Sequence, residues 1–304
     1  MSTSARVAAP LPTLKRSAVV VEAPGEGPGY WAGAPSAVRA DGTIYLAYRL
    51  RRPVGDGRGY ANVIARSEDG VRFETILELR KEDFDTDSLE RPALVARPDG
   101  GWRVFVSCGT PGTLHWRVDA IDAEDPARFD PRRRTTVLPG DPTTAYKDPV
   151  VRWDGTRWHL WVCRHDVAVP DEADRMYSEY GTSDDGLAWQ LQGVALAGRP
   201  GRWDQRGARI TSVLLDGPVP AAYYDGRATA SQNWHEQMGV AVGDGRGRFE
   251  AVGDAPIGTS PHDRGGLRYA EAVRLADGGY RLFYEATRPD GAHDLRTEYV
   301  PPVR

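Results

Sequence analysis

Five times along the chain a short apolar run meets an Asp-Gly pair, and a second run rich in aromatic and β-branched residues follows. The pairs are Asp41-Gly42, Asp99-Gly100, Asp154-Gly155, Asp216-Gly217 and Asp277-Gly278. Asp-Gly between two such runs signals a β-hairpin, because both residues accept the left-handed backbone of a tight turn. Successive pairs lie 58, 55, 62 and 61 residues apart, close to the length of a four-stranded propeller blade with generous loops. Five units fill the 304 residues. The spacing therefore predicts an all-β, five-bladed β-propeller occupying 1–304 as a single domain, with no linker left over. The 34 glycines, the 23 prolines and the lack of long helical periodicity agree with short strands joined by tight turns.

The expected first strands are 35–38, 92–95, 149–151, 210–214 and 270–273, and the second strands are 44–48, 102–106, 158–162, 221–224 and 280–284. A third strand runs into a further polar turn, Ser67-Glu68-Asp69-Gly70-Val71-Arg72-Phe73 in the first unit and Ser183-Asp184-Asp185-Gly186-Leu187-Ala188-Trp189 in the third. Asp244-Gly245 before Phe249 is a looser copy. These turns resemble the aspartate boxes of sialidases and other sugar-acting propellers. Their Ser and Asp side chains can bond turn amides while the aromatic residue packs, a structural role. The last unit is one strand short, and an apolar segment at 17–22 precedes the first. Pairing of that segment with 294–300 would complete the last blade, close the ring and remove its exposed edges.

Composition narrows the function classes. A net charge of -4 with both signs interspersed, and no Lys/Arg block, argues against a nucleic-acid surface. No apolar run approaches membrane-spanning length and no secretory signal precedes the first unit, so a cytoplasmic protein without membrane association is expected. Cys108 and Cys163 are too few for a disulfide framework or a structural zinc site and read as packing residues. Neither a Gly-rich phosphate cradle nor a nucleophile elbow is present. No cofactor and no metal are expected.

In a propeller the inner strands line the axis, and ligands meet one end of them. The residues just before the inner-strand apolar runs are Ala34, Arg91, Asp148, Arg209 and Glu271, and those ending the second strands are Arg49, Ser107, Cys163, Asp225 and Glu285. Such a charged ring can be an internal salt-bridge network, or it can orient a polyhydroxylated or anionic ligand. Tyr30, Trp31 and Tyr269 lie beside it and could stack on a sugar face or simply pack. His165 and His262 fall on expected mouth loops, as do Asn233-Trp234-His235-Glu236 and Trp203-Asp204-Gln205-Arg206.

With its blade period, its Ser/Asp turns and Tyr146-Lys147-Asp148-Pro149-Val150-Val151 leading to Asp154-Gly155, the chain resembles the five-bladed propeller glycoside hydrolases, the family 43 arabinanases and xylosidases and the invertase group. The resemblance implies an Asp-Pro base or nucleophile in the first blade, a second Asp-Pro in the third, and a glutamate acid in the fourth. Two carboxylates flanking the glycosidic oxygen are the physical requirement. Asp148 fits the third-blade position. Ala34 and Arg209 stand where the other two carboxylates belong. The expected set is therefore Asp148, Glu271 and Glu285 as catalytic carboxylates, with Tyr30, Trp31, Arg91, Lys147, His165, Arg209, Asp225, His262 and Tyr269 contacting a small sugar-like ligand. Non-hydrolytic chemistry on a sugar-derived or secondary-metabolite substrate, and non-catalytic sugar binding, are the alternatives, and nothing in the sequence indicates an oligomeric state.

Overall fold

The computed structural model describes residues 9–302. Their regular structure is β-strand, and the helical segments are single 3-10 turns of three or four residues. After β1 (Ala18–Val21), the strands come in antiparallel groups: β2 (Trp31–Ala40), β3 (Thr43–Arg51), β4 (Gly59–Ser67) and β5 (Glu74–Arg80); then β6 (Ala93–Ala96), β7 (Trp102–Gly109), β8 (Trp116–Ala123) and β9 (Thr135–Leu138). They continue with β10 (Thr144–Trp153), β11 (Trp158–Asp166), β12 (Tyr177–Ser183) and β13 (Gln190–Leu196), then β14 (Gly207–Leu214), β15 (Ala221–Arg227), β16 (Gln237–Gly243) and β17 (Phe249–Val252). Last come β18 (Leu267–Arg274), β19 (Tyr280–Thr287) and β20 (His293–Val300), with β1 added outside β20. Three sheets hold four strands each, and the first and last groups share an eight-stranded sheet through one parallel pairing, Trp31 with His293.

The first strand of each group lies beside that of the next: β2 by β6, β6 by β10, β10 by β14, β14 by β18, and β18 again by β2. Apolar clusters fill the space between neighbouring groups. Leu79, Phe84, Leu94 and Val104 pack between the first two, and Val273, Phe283 and Leu295 meet Leu46 and Val63 between the last and the first. Buried alternate side chains of facing sheets are what a two-residue strand period supplies.

The expected pairing of the N-terminal segment with the end of the chain is present: Ala18 faces Thr297, Val19 faces Arg296 and Val21 faces Leu295. The preceding residues are tied down as well, with the Glu298 carboxylate accepting from the Thr13 and Leu14 amides at 3.0 and 3.1 Å. The Ser/Asp turns have the architectural role read from sequence. Asp69 Oδ1 accepts from the Val71 and Arg72 amides at 2.8 Å, while Ser67 Oγ accepts from Gly70, whose φ of 70° is left-handed. Asp185 and Ser183 repeat this with Leu187, Ala188 and Gly186.

The inner strands depart from the sequence reading in one way that matters for the site. Four of them start several residues before the apolar run, and the pairing of each slips: between Ile210 and Ser212 in β14, and between Gly33 and Ser36, Lys147 and Val150, and Arg268 and Glu271 in the others. Each of the last three slips leaves two residues unpaired, and the first of them, Ala34, Asp148 or Tyr269, has φ near +50° (52°, 55° and 54°). A bulge of this kind re-aims the side chains beyond it. By cross-strand pairing, the residue corresponding to Asp148 in the last group is Tyr269. Glu271 sits two positions further along, opposite Phe283.

Candidate functional site

A cavity of about 400 Å³ opens at the starting ends of the inner strands. Its wall includes Lys147 and Arg268, each just before a bulge, Arg209, which pairs with Asp225, and Glu90, whose amide donates to the Ser107 carbonyl. Gly33 likewise precedes the bulge of the first group, opposite Arg49. The missing side chain makes room there, because a Cβ on Gly33 would collide with the Glu285 carboxylate.

The charges form two bonded groups that meet at the Tyr269 ring, 5.6 Å from Arg49 and 5.3 Å from Arg268. Arg49 bonds Glu90 and also reaches Glu285 at 3.2 Å. Arg268 joins Glu285 at 2.6 Å to Glu236 at 2.8 Å, and Arg227 bonds the other oxygen of Glu236 at 2.6 Å. Arg209 holds Asp148 at 3.0 Å and Asp225 at 2.6 Å and stacks 3.9 Å from the centre of the Tyr269 ring. Tyr269 closes the loop, donating its hydroxyl to Asp148 at 3.2 Å while its amide donates to Asp225 at 2.9 Å. All are buried.

The network decides protonation. Burial works against charge on Glu236 and Glu285, but Arg268 and its arginine neighbours outweigh it and hold both carboxyls well below their ordinary range. Asp148 is lowered too, with Arg209 and Lys147 overcoming burial. Asp225 goes the other way: burial exceeds the pull of Arg209 and pushes it up to about 6. Burial brings His165 down to about 3, leaving a neutral ring whose Nδ1–H donates to the Ala173 carbonyl at 3.1 Å. The adjoining Cys163 thiol is pushed up to about 12 by burial.

Of the residues expected at the site, Lys147, His165, Arg209 and Tyr269 line the cavity. Asp148, Asp225 and Glu285 stand directly behind it, reached through Arg209, Tyr269, Arg49 and Arg268. Glu271 does not line the cavity. Its carboxylate is fully buried below the bulge, taken up by Arg91 at 3.2 Å, Arg152 at 2.7 Å and Ser212 at 2.5 Å. Arg91 also lies outside the lining: its guanidinium crosses between the first strands, donating to the carbonyls of Pro35 (3.0 Å), Pro149 (2.5 Å) and Thr211 (2.8 Å). Trp31 is buried behind the wall and stacked on His293, Tyr30 lies off the cavity, and His262 is an exposed loop residue away from it. Among the described residues no group of His, Cys, Asp and Glu comes together in a way that could hold a metal ion, and no helix is long and apolar enough to cross a membrane.

Sequence reasoning missed Glu90, Arg51, Arg58, Trp116, Asp174 and Arg268 as wall residues. Glu90, Lys147 and Arg268 immediately precede Arg91, Asp148 and Tyr269, so the signal was one position away. Glu236 and Trp234, in the rim segment noted from sequence, do reach the wall.

No protein-family model matches this sequence, and no curated protein does. Solved structures match its fold. A thermostable family-43 glycoside hydrolase superposes with a TM-score of 0.67 at 14% identity, over 88% of both chains. A glycosyl hydrolase from Bacteroides ovatus gives 0.66 at 14% identity, over 97% of this chain and 91% of that one. The β-1,2-mannobiose phosphorylase from Listeria innocua, solved with β-1,2-mannobiose, gives 0.64 at 14%, over 94% and 92%. These likenesses show a shared all-β fold with those glycoside-acting proteins.

Proposed function

We propose that this chain is a single-domain, five-bladed propeller that takes a small, polar, sugar-like ligand into its axial cavity and acts on it there. On this reading the eight-stranded sheet is two blades bridged at Trp31 and His293, and β1 closes the ring. The observation that carries the proposal is the cavity itself. Trp116, Trp234 and Tyr269 offer ring faces and edges beside Glu90, Glu236 and Arg209, a mixture suited to a sugar ring and its hydroxyls.

Glu90 and Glu236 are the axial carboxylates placed to touch the ligand, with Asp148 positioning Tyr269 and Arg209 from behind. Both glutamates are ion-paired, so they serve as bases, or as stabilisers of positive charge developing on a sugar ring, more readily than as proton donors. Pairing of every axial carboxylate also favours a second reading, a propeller that binds sugars without turnover. Incubation with a panel of disaccharides and aryl glycosides, followed by NMR for products, separates the two. Turnover that falls at least about a hundredfold in Glu236→Gln and Glu90→Gln supports the enzyme. Turnover unchanged in both variants removes these roles, and sugar binding without product over long incubation leaves the binding propeller.

A further inference from the structure

Seven cationic side chains line the cavity against three carboxylates. Arg49, Arg209, Arg227 and Arg268 are each bonded to a carboxylate. Arg51, Arg58 and Lys147 are different. Arg51 is 2% exposed, yet its nearest carboxylate oxygen, on Glu90, is 3.9 Å away and that group already bonds Arg49. Its Nε has no acceptor among the described residues, and the guanidinium rests between the Trp31 and Trp234 rings, 4.1 and 5.0 Å from their centres. Arg58 and Lys147 lie 5.9 and 5.4 Å from the centre of a single ring, Trp116, and the Arg58 Nε is likewise without an acceptor.

A buried cation without a counter-charge is costly. Burial, then repulsion by Arg49, Arg268 and Arg58, pushes Arg51 down to about 8; burial also lowers the half-buried Lys147 and Arg58, although Asp148 and Asp87 respectively pull the other way. A guanidinium gives up its proton reluctantly, so the penalty stays with the empty protein until an anion relieves it. The open edge of Arg51 presents the forked donors that match a carboxylate or phosphate.

We propose that the Arg51, Arg58 and Lys147 side of the cavity is an oxyanion subsite, so that the ligand is an acidic sugar or a sugar bound together with a free inorganic oxyanion. This deepens the carbohydrate reading and rests on it for the sugar, but not for the anion.

The test is calorimetric titration and thermal unfolding of the full chain with glucuronate, glucose and inorganic phosphate, for the native protein, Arg51→Met and Lys147→Met. One anion, or both, should bind the native protein at least about tenfold more tightly than glucose does and raise its Tm. Glucuronate alone identifies a carboxylate on the sugar, and phosphate alone a separate oxyanion. Arg51→Met should weaken anion binding at least about tenfold while its own Tm holds or rises, because an uncompensated charge is gone. Lys147→Met should weaken the anion without abolishing it. Anion affinity equal in native and Arg51→Met protein, or a Tm several degrees lower in that variant with the anion response intact, overturns the subsite. Phosphate binding with no response to either sugar upholds the subsite and removes the carbohydrate reading instead.

Discussion

Replacing Arg91 by Met should cripple the fold while leaving the cavity wall untouched. The guanidinium donates to Pro35, Pro149 and Thr211 carbonyls and to Glu271, groups from four different first strands or their leading residues. Methionine keeps the length and apolar stem but orphans three acceptors at the axis. Glu271 is not orphaned, because Arg152 and Ser212 still hold it. Hydrogen bonds from a charged donor are worth about 1.5–3 kcal/mol each, and non-additivity and entering water lower the simple total, so a loss of roughly 4–6 kcal/mol is expected. With an unfolding entropy of about 2.1 cal/mol/K per residue, that is a Tm lower by roughly 6–9 °C. Circular dichroism melts of native and variant protein provide the assay, with ligand titration below the transition as the control. A Tm within about 2 °C of native, coupled to lost ligand binding, would refute this structural assignment and return Arg91 to the ligand.

Arg209→Met leaves two buried carboxylates, Asp148 and Asp225, without their shared cation and should cost about 3–5 kcal/mol near neutral pH. Asp225 already stands above its unfolded value at about 6, so its ionisation opposes folding increasingly from pH near 4 and fully above 6; without Arg209 it rises further. The variant's deficit should thus be larger at pH 8 than at pH 5.5 in urea melts, and an equal deficit at both would contradict the assignment. Gly33→Ala drives a methyl into Glu285, which Arg49, Arg268 and His293 hold in place. A loss of about 1–3 kcal/mol is expected, with Glu285→Ala in the same chain recovering part of it, and a full-strength melt of Gly33→Ala alone would show that the space is not occupied.

Local chemistry explains what could be read from the chain. An Asp-Gly turn, or Asp69 reaching the amides two and three residues on, is fixed by residues adjacent in sequence, so the hairpins and their order were legible. The pairing of 18–21 with the last strand was legible too, because a unit one strand short needs a partner for its edge. The bulges were not. Whether Tyr269 or Glu271 stands level with Asp148 depends on which residues pair across β18 and β19, and an apolar run does not encode a two-residue slip. Counting from that run carried Glu271 into the ring and left out Arg268 and Glu90. The partners of Arg91 were hidden for a related reason: its acceptors are backbone carbonyls from distant segments, and no residue type marks them.

Gly33 ties the shape of the pocket to its charge. Where the first strand of the first group carries Gly33-Ala34, the Glu285 carboxylate enters from the second strand of the last group and occupies the space. A carboxylate thereby stands beside the first strands, but it is bonded to Arg49, Arg268 and His293 instead of facing the cavity. Hydrolysis by paired carboxylates needs one that holds a proton beside the leaving oxygen. Asp225 has the raised pKa for that, yet it stands behind the wall, locked by Arg209 and the Tyr269 amide. Glu236 reaches the wall but is held ionised by Arg268 and Arg227. The charged groups with protons to donate into the cavity are its cations, while the Tyr269 hydroxyl donates to Asp148 behind the wall. Bond cleavage here would therefore pair ionised glutamates, which stabilise positive charge on a sugar ring, with cations that stabilise negative charge on the departing group, the property the proposed Arg51 and Lys147 subsite also uses.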